Sequence, residues 1–456
     1  MAGKMITAKE LAAGLSDVLA QAPHQAPARF RHAVVDSRKA GRGDLFFALA
    51  GEHADGHDFV RDAAARGASG AVVARAVDAA IAQWVVRDPL EALQALARQR
   101  RASLTELRVV GVTGSVGKTS TKEVIAAVLA TKHRVLKSEG NLNSEIGMPL
   151  VLLELNARHR RAVLEMGMWA RGEIALLCHL ARPQVGVVTM VGPVHMERLG
   201  TIDAIAEEKG VLPASLPADG VAVLNADDAR VLAMRERTRA GVITFGLAAQ
   251  ADVRAEDIET RALSGSKFTL VHGGGRETVY SRLPGRAMVH NALAAAAVAL
   301  TDGFTLAETA EALSAVQVPA RLTSHRGANG STVIDDAYNA SPASMLAALD
   351  LLGEVAGRKF AVLGDMRELG AAEAEGHRDV GRRAAEVADV IYAVGELGRM
   401  IGEAARDAGH GDVRIVADKA QIAPALRTEL APGDVVLVKA SRALALETVA
   451  QDLREG

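Results

Sequence analysis

The feature that most constrains this chain is an apolar run, LRVVGV (107–112), that gives way to the string Thr113-Gly-Ser-Val-Gly-Lys-Thr119 and resumes as the helical pattern TKEVIAAVLA. Strand, glycine loop and helix in that order are the setting of a phosphate-binding loop. Gly114 and Gly117 let the backbone approach phosphates, and the free N–H groups and dipole at the helix start favour an anion. Lys118 is placed to reach terminal phosphates and the Thr119 hydroxyl to meet Mg2+. The general pattern has its first glycine where this chain has Val112. Binding of ATP or GTP is the expectation.

Around that loop the chain reads as α/β throughout. From 105 to 318, strand-like runs (RVVGVTG, RAVLEMG, VGVVTMVG, GVAVLNAD) alternate with helix-length segments, the signature of βαβ units and a mainly parallel sheet. From 319 the pattern restarts with STVIDDA, KFAVLGDM, ADVIYAVG, DVRIVAD and DVVLVKA, which predicts a second doubly wound domain of Rossmann type. Residues 1–104 hold a Gly/Asp/His-rich stretch, DSRKAGRGDLFFALAGEHADGHDF, then short α/β-like segments. The expected class is α/β in three domains, 1–104, 105–318 and 319–456, with Pro319 marking a hinge. A length of 456 residues agrees with about two to four domains.

Composition narrows the partners. With 53 basic against 55 acidic residues, net −2, the chain lacks the basic footprint of a nucleic-acid binder. Its one cysteine, Cys178, lies in the apolar run IALLCHL, so a core position and a reducing compartment are expected. The start MAGKMITAKELAAGL has no secretory h-region. The most lipid-like stretch, Ala292–Leu300, is well short of the roughly 20 apolar residues a membrane span needs. A cytoplasmic monomer without membrane contact is the expectation.

The form TGSVGKTSTKE resembles the loop of the Mur ligases, which folylpolyglutamate synthases share. The resemblance continues through NLNSEIGMP (141–149), LEMG (164–167), VGPVHMERLG (191–200), AEEKG around Lys209, HNALAAAAVA (290–299), DDAYNASP (335–342), GDMRELG (364–370) and LVKASR (437–442). DSR (36–38) and the DGH segment are similar to the family's UDP-muramoyl-binding domain. Membership implies ATP-dependent peptide-bond formation through an acyl phosphate. Such chemistry requires that phosphate charge be neutralised and water excluded.

The resemblance implies a role for particular residues. The string 113–119 (Thr113, Gly114, Ser115, Val116, Gly117, Lys118, Thr119) would hold ATP. Thr119 and Glu165 would ligate one Mg2+, and His195 a second. Glu165 ends the strand-like run RAVLE, which aims it into the crevice where α/β ligands bind. Lys209 would be carbamylated, converting a cation beside the phosphates into an anion; this needs a neutral amine and so a depressed pKa. Asn291, at the opening of an Ala-rich helix, Asp336 and Tyr338 would lie near the adenosine, and Arg321 would face the γ-phosphate. An aspartate ending a strand is also a common helix cap. Asn141 and Asn143 are suited to orienting substrate, and Ser37 and Arg38 to the uridine diphosphate end. Lys439 and Arg442 are candidates for an acceptor carboxylate.

Within the family, NLN…IG-P, DD-YNA and GDM-ELG resemble the branch that adds D-alanyl-D-alanine to UDP-muramoyl-tripeptide. A DNPR-like string of the diamino-acid-adding branch is absent from the sequence. Departures from the family pattern stand at Met190, Val211 and the Trp169-Ala170 pair. Two readings compete: a folylpolyglutamate synthase-like ligase, and a nucleotide-binding scaffold without ligation.

Overall fold

The computed structural model describes residues 5–51, 53–194, 196–318 and 322–454. Strand Arg108–Thr113 lies inside a nine-stranded sheet, and its residues from Val109 onward are buried. Covered on both faces, such a strand reads as a continuous β-branched run instead of an alternation. From one edge to the other its sheet runs Gly275–Ser281, Ser266–His272, Val253–Thr260, Gly241–Gly246, Val221–Asn225, Val185–Val188, Arg108–Thr113, Arg161–Glu165, Val135–Lys137. The first two pairings are antiparallel and the rest parallel. Val110 faces Val163 on one side and Val185 on the other. The chain leaves Arg108–Thr113 toward one edge and later returns to its opposite flank, so the loop after that strand sits at a topological switch point.

A six-stranded sheet follows, ordered Thr323–Arg326, Thr332–Asp335, Val435–Lys439, Lys359–Gly364, Val390–Val394, Val413–Val416 and parallel beyond its first pairing. A smaller five-stranded sheet precedes the nine-stranded one: Leu19–Gln21, Ala82–Val86, Gly70–Val73, Leu45–Phe47, Ala33–Val34. The mixed α/β class expected from the sequence is what the chain adopts.

The three sheets are not equally independent. One apolar core runs from Leu45, Trp84, Leu93 and Leu96 of the first unit into Val109, Leu164, Met166 and Leu177 of the middle one. Helix Pro89–Ala102, capped by Asp88 and opened by proline, makes the join. Its Arg100 guanidinium donates to the Leu153 and Leu155 carbonyls (2.8 and 3.0 Å), and Arg101 to that of Ala181 (2.8 Å). The six-stranded sheet instead has its own cores on its two faces. Cys178 is buried in the shared core, and burial pushes its thiol up to about 12.

On the other face of the nine-stranded sheet, helix Ala287–Thr301 packs against helix Lys118–Leu129. Ala292 and Ala294–Ala297 are all buried, and such small side chains let the two backbones approach. Among the described residues no helix is long and apolar enough to cross a membrane.

Candidate active site

The glycine loop is fixed from several sides. Its Ser115 N–H donates to the Met190 carbonyl (2.7 Å), and the Ser115 hydroxyl to that of Gly192 (3.0 Å). Thr189 donates its hydroxyl to the Val116 carbonyl (2.6 Å), and Thr113 to that of Met166 (2.9 Å). Gly114 sits at φ +147°, and a Cβ there would lie 1.8 Å from the Thr189 hydroxyl. Only glycine fits that approach. Helix Lys118–Leu129 starts directly from the loop, and the Lys118 ammonium rests on the Gly114 carbonyl at 2.7 Å.

Beside the loop, Thr119 donates to Glu165 (2.8 Å), and the Asn143 amide donates to that carboxylate's other oxygen (2.8 Å). Glu165 is 1% exposed, and its backbone N–H donates to the Ser138 hydroxyl (3.1 Å). Two hard oxygen donors so close suit Mg2+, which keeps several waters and takes few protein ligands besides phosphate oxygens. A larger grouping of metal-binding side chains does not occur among the described residues.

Lys209 ends helix Ile202–Lys209 and is 1% exposed. Burial holds its amine well below the ordinary lysine range; the Lys118 charge pushes the same way and Glu208 opposes both.

The loop, Thr119, Asn143 and Glu165 open onto a cavity of about 1420 Å³ between the nine- and six-stranded sheets, and Lys209 lies outside its lining. The middle unit contributes Lys118, Thr119, Asn141, Asn143, Glu165, Trp169 and Asn291; the third contributes Asp336, Tyr338, Arg367, Lys439 and Arg442. Asn291 accepts from Thr121 of the loop's helix (3.0 Å). It lies within helix Ala287–Thr301, one turn past the start. Lys439 is buried and paired with the Asp336 carboxylate, with a further bond to the Asn339 carbonyl (3.1 Å). Asp336 is therefore the counter-ion of a buried lysine, and it caps no helix. Arg442 pairs with Glu447 (2.9 Å) and lies 5.7 Å over the Tyr338 ring.

Ser37 and Arg38 do not line this cavity. Ser37 is buried, and Arg38 forks onto Asp36, holding that carboxyl down to about 2. His195 and Arg321, with Pro319, lie outside the described residues.

Sequence reasoning passed over two features. Lys122 is fully buried, donates to the Ser138 carbonyl (2.6 Å) and lies 3.9 Å from Glu165; its signal was a lysine on the buried face of the loop's helix. Asp227 accepts from His290 (2.8 Å) and from the Leu247 and Ala248 N–H groups (2.7 and 2.8 Å) on the cavity wall. The acid-rich NADD after the strand-like run GVAVL was its signal.

Known proteins show the same organisation. Family models match in order: the Mur ligase family catalytic domain at residues 30–102, the Mur ligase middle domain at 112–299 and the Mur ligase glutamate ligase domain at 320–442. The UDP-N-acetylmuramoyl-tripeptide--D-alanyl-D-alanine ligase of Bacillus subtilis is 38% identical, with 92% of each chain covered. That of Escherichia coli is 37% identical over 92% of this chain and 93% of its own. A crystal structure of MurF from Acinetobacter baumannii superposes with a TM-score of 0.89 at 33% identity, covering 99% of both chains. The Thermotoga maritima MurF ligase in complex with ADP gives 0.80 at 31% identity, over 92% of this chain and 96% of that one.

Proposed function

Because the chain belongs to the Mur ligase family, we infer that it joins D-alanyl-D-alanine to UDP-N-acetylmuramoyl-tripeptide with ATP, releasing ADP and phosphate. The supporting observation is the cavity that sets the glycine loop, Thr119 and Glu165 opposite the Asp336–Lys439 wall of the third unit.

In this reading the tripeptide's carboxylate oxygen attacks the γ-phosphorus of ATP. The bond to the β,γ-bridging oxygen breaks and ADP is left with an acyl phosphate. The neutral amine of the dipeptide then attacks the acyl carbon, the carbon–oxygen bond to phosphate breaks, and the nitrogen gives up a proton. Lys118 and the loop N–H groups neutralise the phosphates. Mg2+, held by Thr119 and Glu165, would supply Lewis-acid stabilisation of the transferred phosphoryl group. Asn143 orients Glu165, and Asn141 is placed to orient the precursor. Asn291, Asp336 and Tyr338 border the adenosine side.

Lys209 is carbamylated in this scheme. Its burial beside Lys118 supplies the neutral amine that addition of CO2 requires. His195 and Arg321 keep the roles that the family pattern gives them, at a second Mg2+ and at the γ-phosphate. Ser37 and Arg38 face the uridine diphosphate end, away from the cavity. Since Lys439 is held by Asp336, Arg442 is the more available cation for the dipeptide carboxylate.

The test is competitive. Purified protein receives ATP, Mg2+ and UDP-muramoyl-tripeptide with D-alanyl-D-alanine, D-alanine, L-lysine or meso-diaminopimelate, and products are weighed. Pentapeptide with one ADP per bond, from the dipeptide alone, is expected. Extension of UDP-muramoyl-dipeptide by a diamino acid would replace the named activity with that of a sister branch.

A further inference from the structure

His377 sits on helix Glu373–Val387, fully buried. Its Nδ1 lies 2.7 Å from the Glu373 carbonyl, and its Nε2 accepts from the Met366 N–H at 2.9 Å. A carbonyl can only accept, so Nδ1 carries the proton and Nε2 the lone pair. The ring therefore joins two backbone groups in one fixed tautomer.

What it holds is the loop after strand Lys359–Gly364. The Asp365 carboxylate accepts from Leu397 and Gly398 (3.0 and 2.8 Å), and the Asp365 carbonyl accepts from Ser441 N–H (2.8 Å). Met366 and Leu369 are buried beneath the loop. At its tip Glu368 takes φ +65°, a left-handed conformation that a non-glycine residue keeps only when its surroundings impose it. There its carbonyl accepts from Met196 N–H of the middle unit at 3.0 Å. Gly370 lies against the same residue, close enough that a Cβ would come within 3.1 Å of the Met196 side chain. Arg367 and Glu368 also line the cavity.

We propose that His377 is a positioning residue for the acceptor half of the site: it holds loop 365–370 in the shape that lets Glu368 grip the middle unit at Met196. The proposal rests on the ligase reading for its kinetic consequence, but the grip itself is independent of substrate identity. Losing the ring frees the Met366 N–H, relaxes Glu368 and loosens the third unit where it meets the middle one. The acceptor feels this loss and the glycine loop does not.

Two variants separate the cases. His377→Leu removes both hydrogen bonds, whereas His377→Gln can restore an acceptor for Met366 and a donor for Glu373. Amide exchange, followed by mass spectrometry on the full chain, reads the grip without turnover. In the leucine variant, peptides holding Met366 and Met196 should both lose protection, while peptides of helix Lys118–Leu129 keep theirs. KM for D-alanyl-D-alanine should rise about ten-fold and KM for ATP by a clearly smaller factor, because the phosphates stay on the glycine loop while only the adenosine side borders the third unit, and glutamine should recover part of both effects. Unchanged protection at Met196 after loss at Met366 would overturn the proposal. So would equal rises in both KM values. Should the leucine variant not fold, the glutamine variant decides by the same paired readout, since any loss at Met366 must be matched at Met196. A wild-type protein that ignores the dipeptide would count against the ligase reading alone, with exchange still testing the grip.

Discussion

At the scale of single residues, the site is made by burial as much as by charge. Lys209 is the clearest case. An amine whose proton affinity is depressed in the fold binds fewer protons than in the unfolded chain, so stability rises with pH between the depressed value and about 10.4. At pH 7 the buried amine is therefore a liability. In bicarbonate-free buffer Lys209→Met should hold or raise the melting temperature at pH 7 while ligation is lost. Under the proposed carbamylation, a carbamate carbon signal expected by NMR in the wild type after labelling with 13C-bicarbonate should be missing from the variant. A melting point several degrees lower would contradict this account. Glu165 and Lys118 were legible in the sequence because strand ends and glycine loops have fixed chemistry. The pairing of Lys439 with Asp336 was not. Those residues are 103 apart in the chain, and only the register of Val435–Lys439 beside Thr332–Asp335 brings them together.

At the scale of elements, the alanine helix deserves its composition. Helix Ala287–Thr301 has Asn291 at its cavity end and a run of buried alanines beyond, and it leans on the helix that begins at Lys118. Ala295 lies one turn past Asn291 on the face that meets Thr121, and Ala295→Leu should destabilise the protein by about 1–3 kcal/mol through overpacking, measured by urea unfolding. Weaker nucleotide affinity should accompany it, because the phosphate loop's helix is what must shift. Full stability in that variant would mean that the two helices are not closely fitted. The strand and helix periods were readable from the sequence, as was the switch from one parallel sheet to the next. Loop 365–370 was readable only as the motif GDMRELG. Its conformation depends on His377, on Asp365 bonding forward to Leu397 and Gly398, and on a middle-unit residue, none of which leaves a local pattern.

At the scale of the whole molecule, sharing of cores divides the three large sheets two to one. The first two share apolar packing and the arginine bonds of helix Pro89–Ala102, while the third has cores of its own. Calorimetry should therefore resolve two transitions, with ATP and Mg2+ drawing them together as ligand bridges the cavity. A single transition, unmoved by ligand, would contradict that division. That division predicts substrate entry by a swing of the third sheet against the first two, which small-angle scattering should show as compaction when nucleotide and precursor bind. The sole cysteine of the sequence gives that division a clock. Cys178 lies in the shared core, sealed from solvent and with its thiol held protonated. Its sulfur lies 3.9 Å from that of Met166, so a thiol reagent reaches it only when that core opens. Its labelling rate thus counts those rare openings and ignores every opening and closing of the third sheet, so turnover and unfolding can be timed separately in one unlabelled molecule.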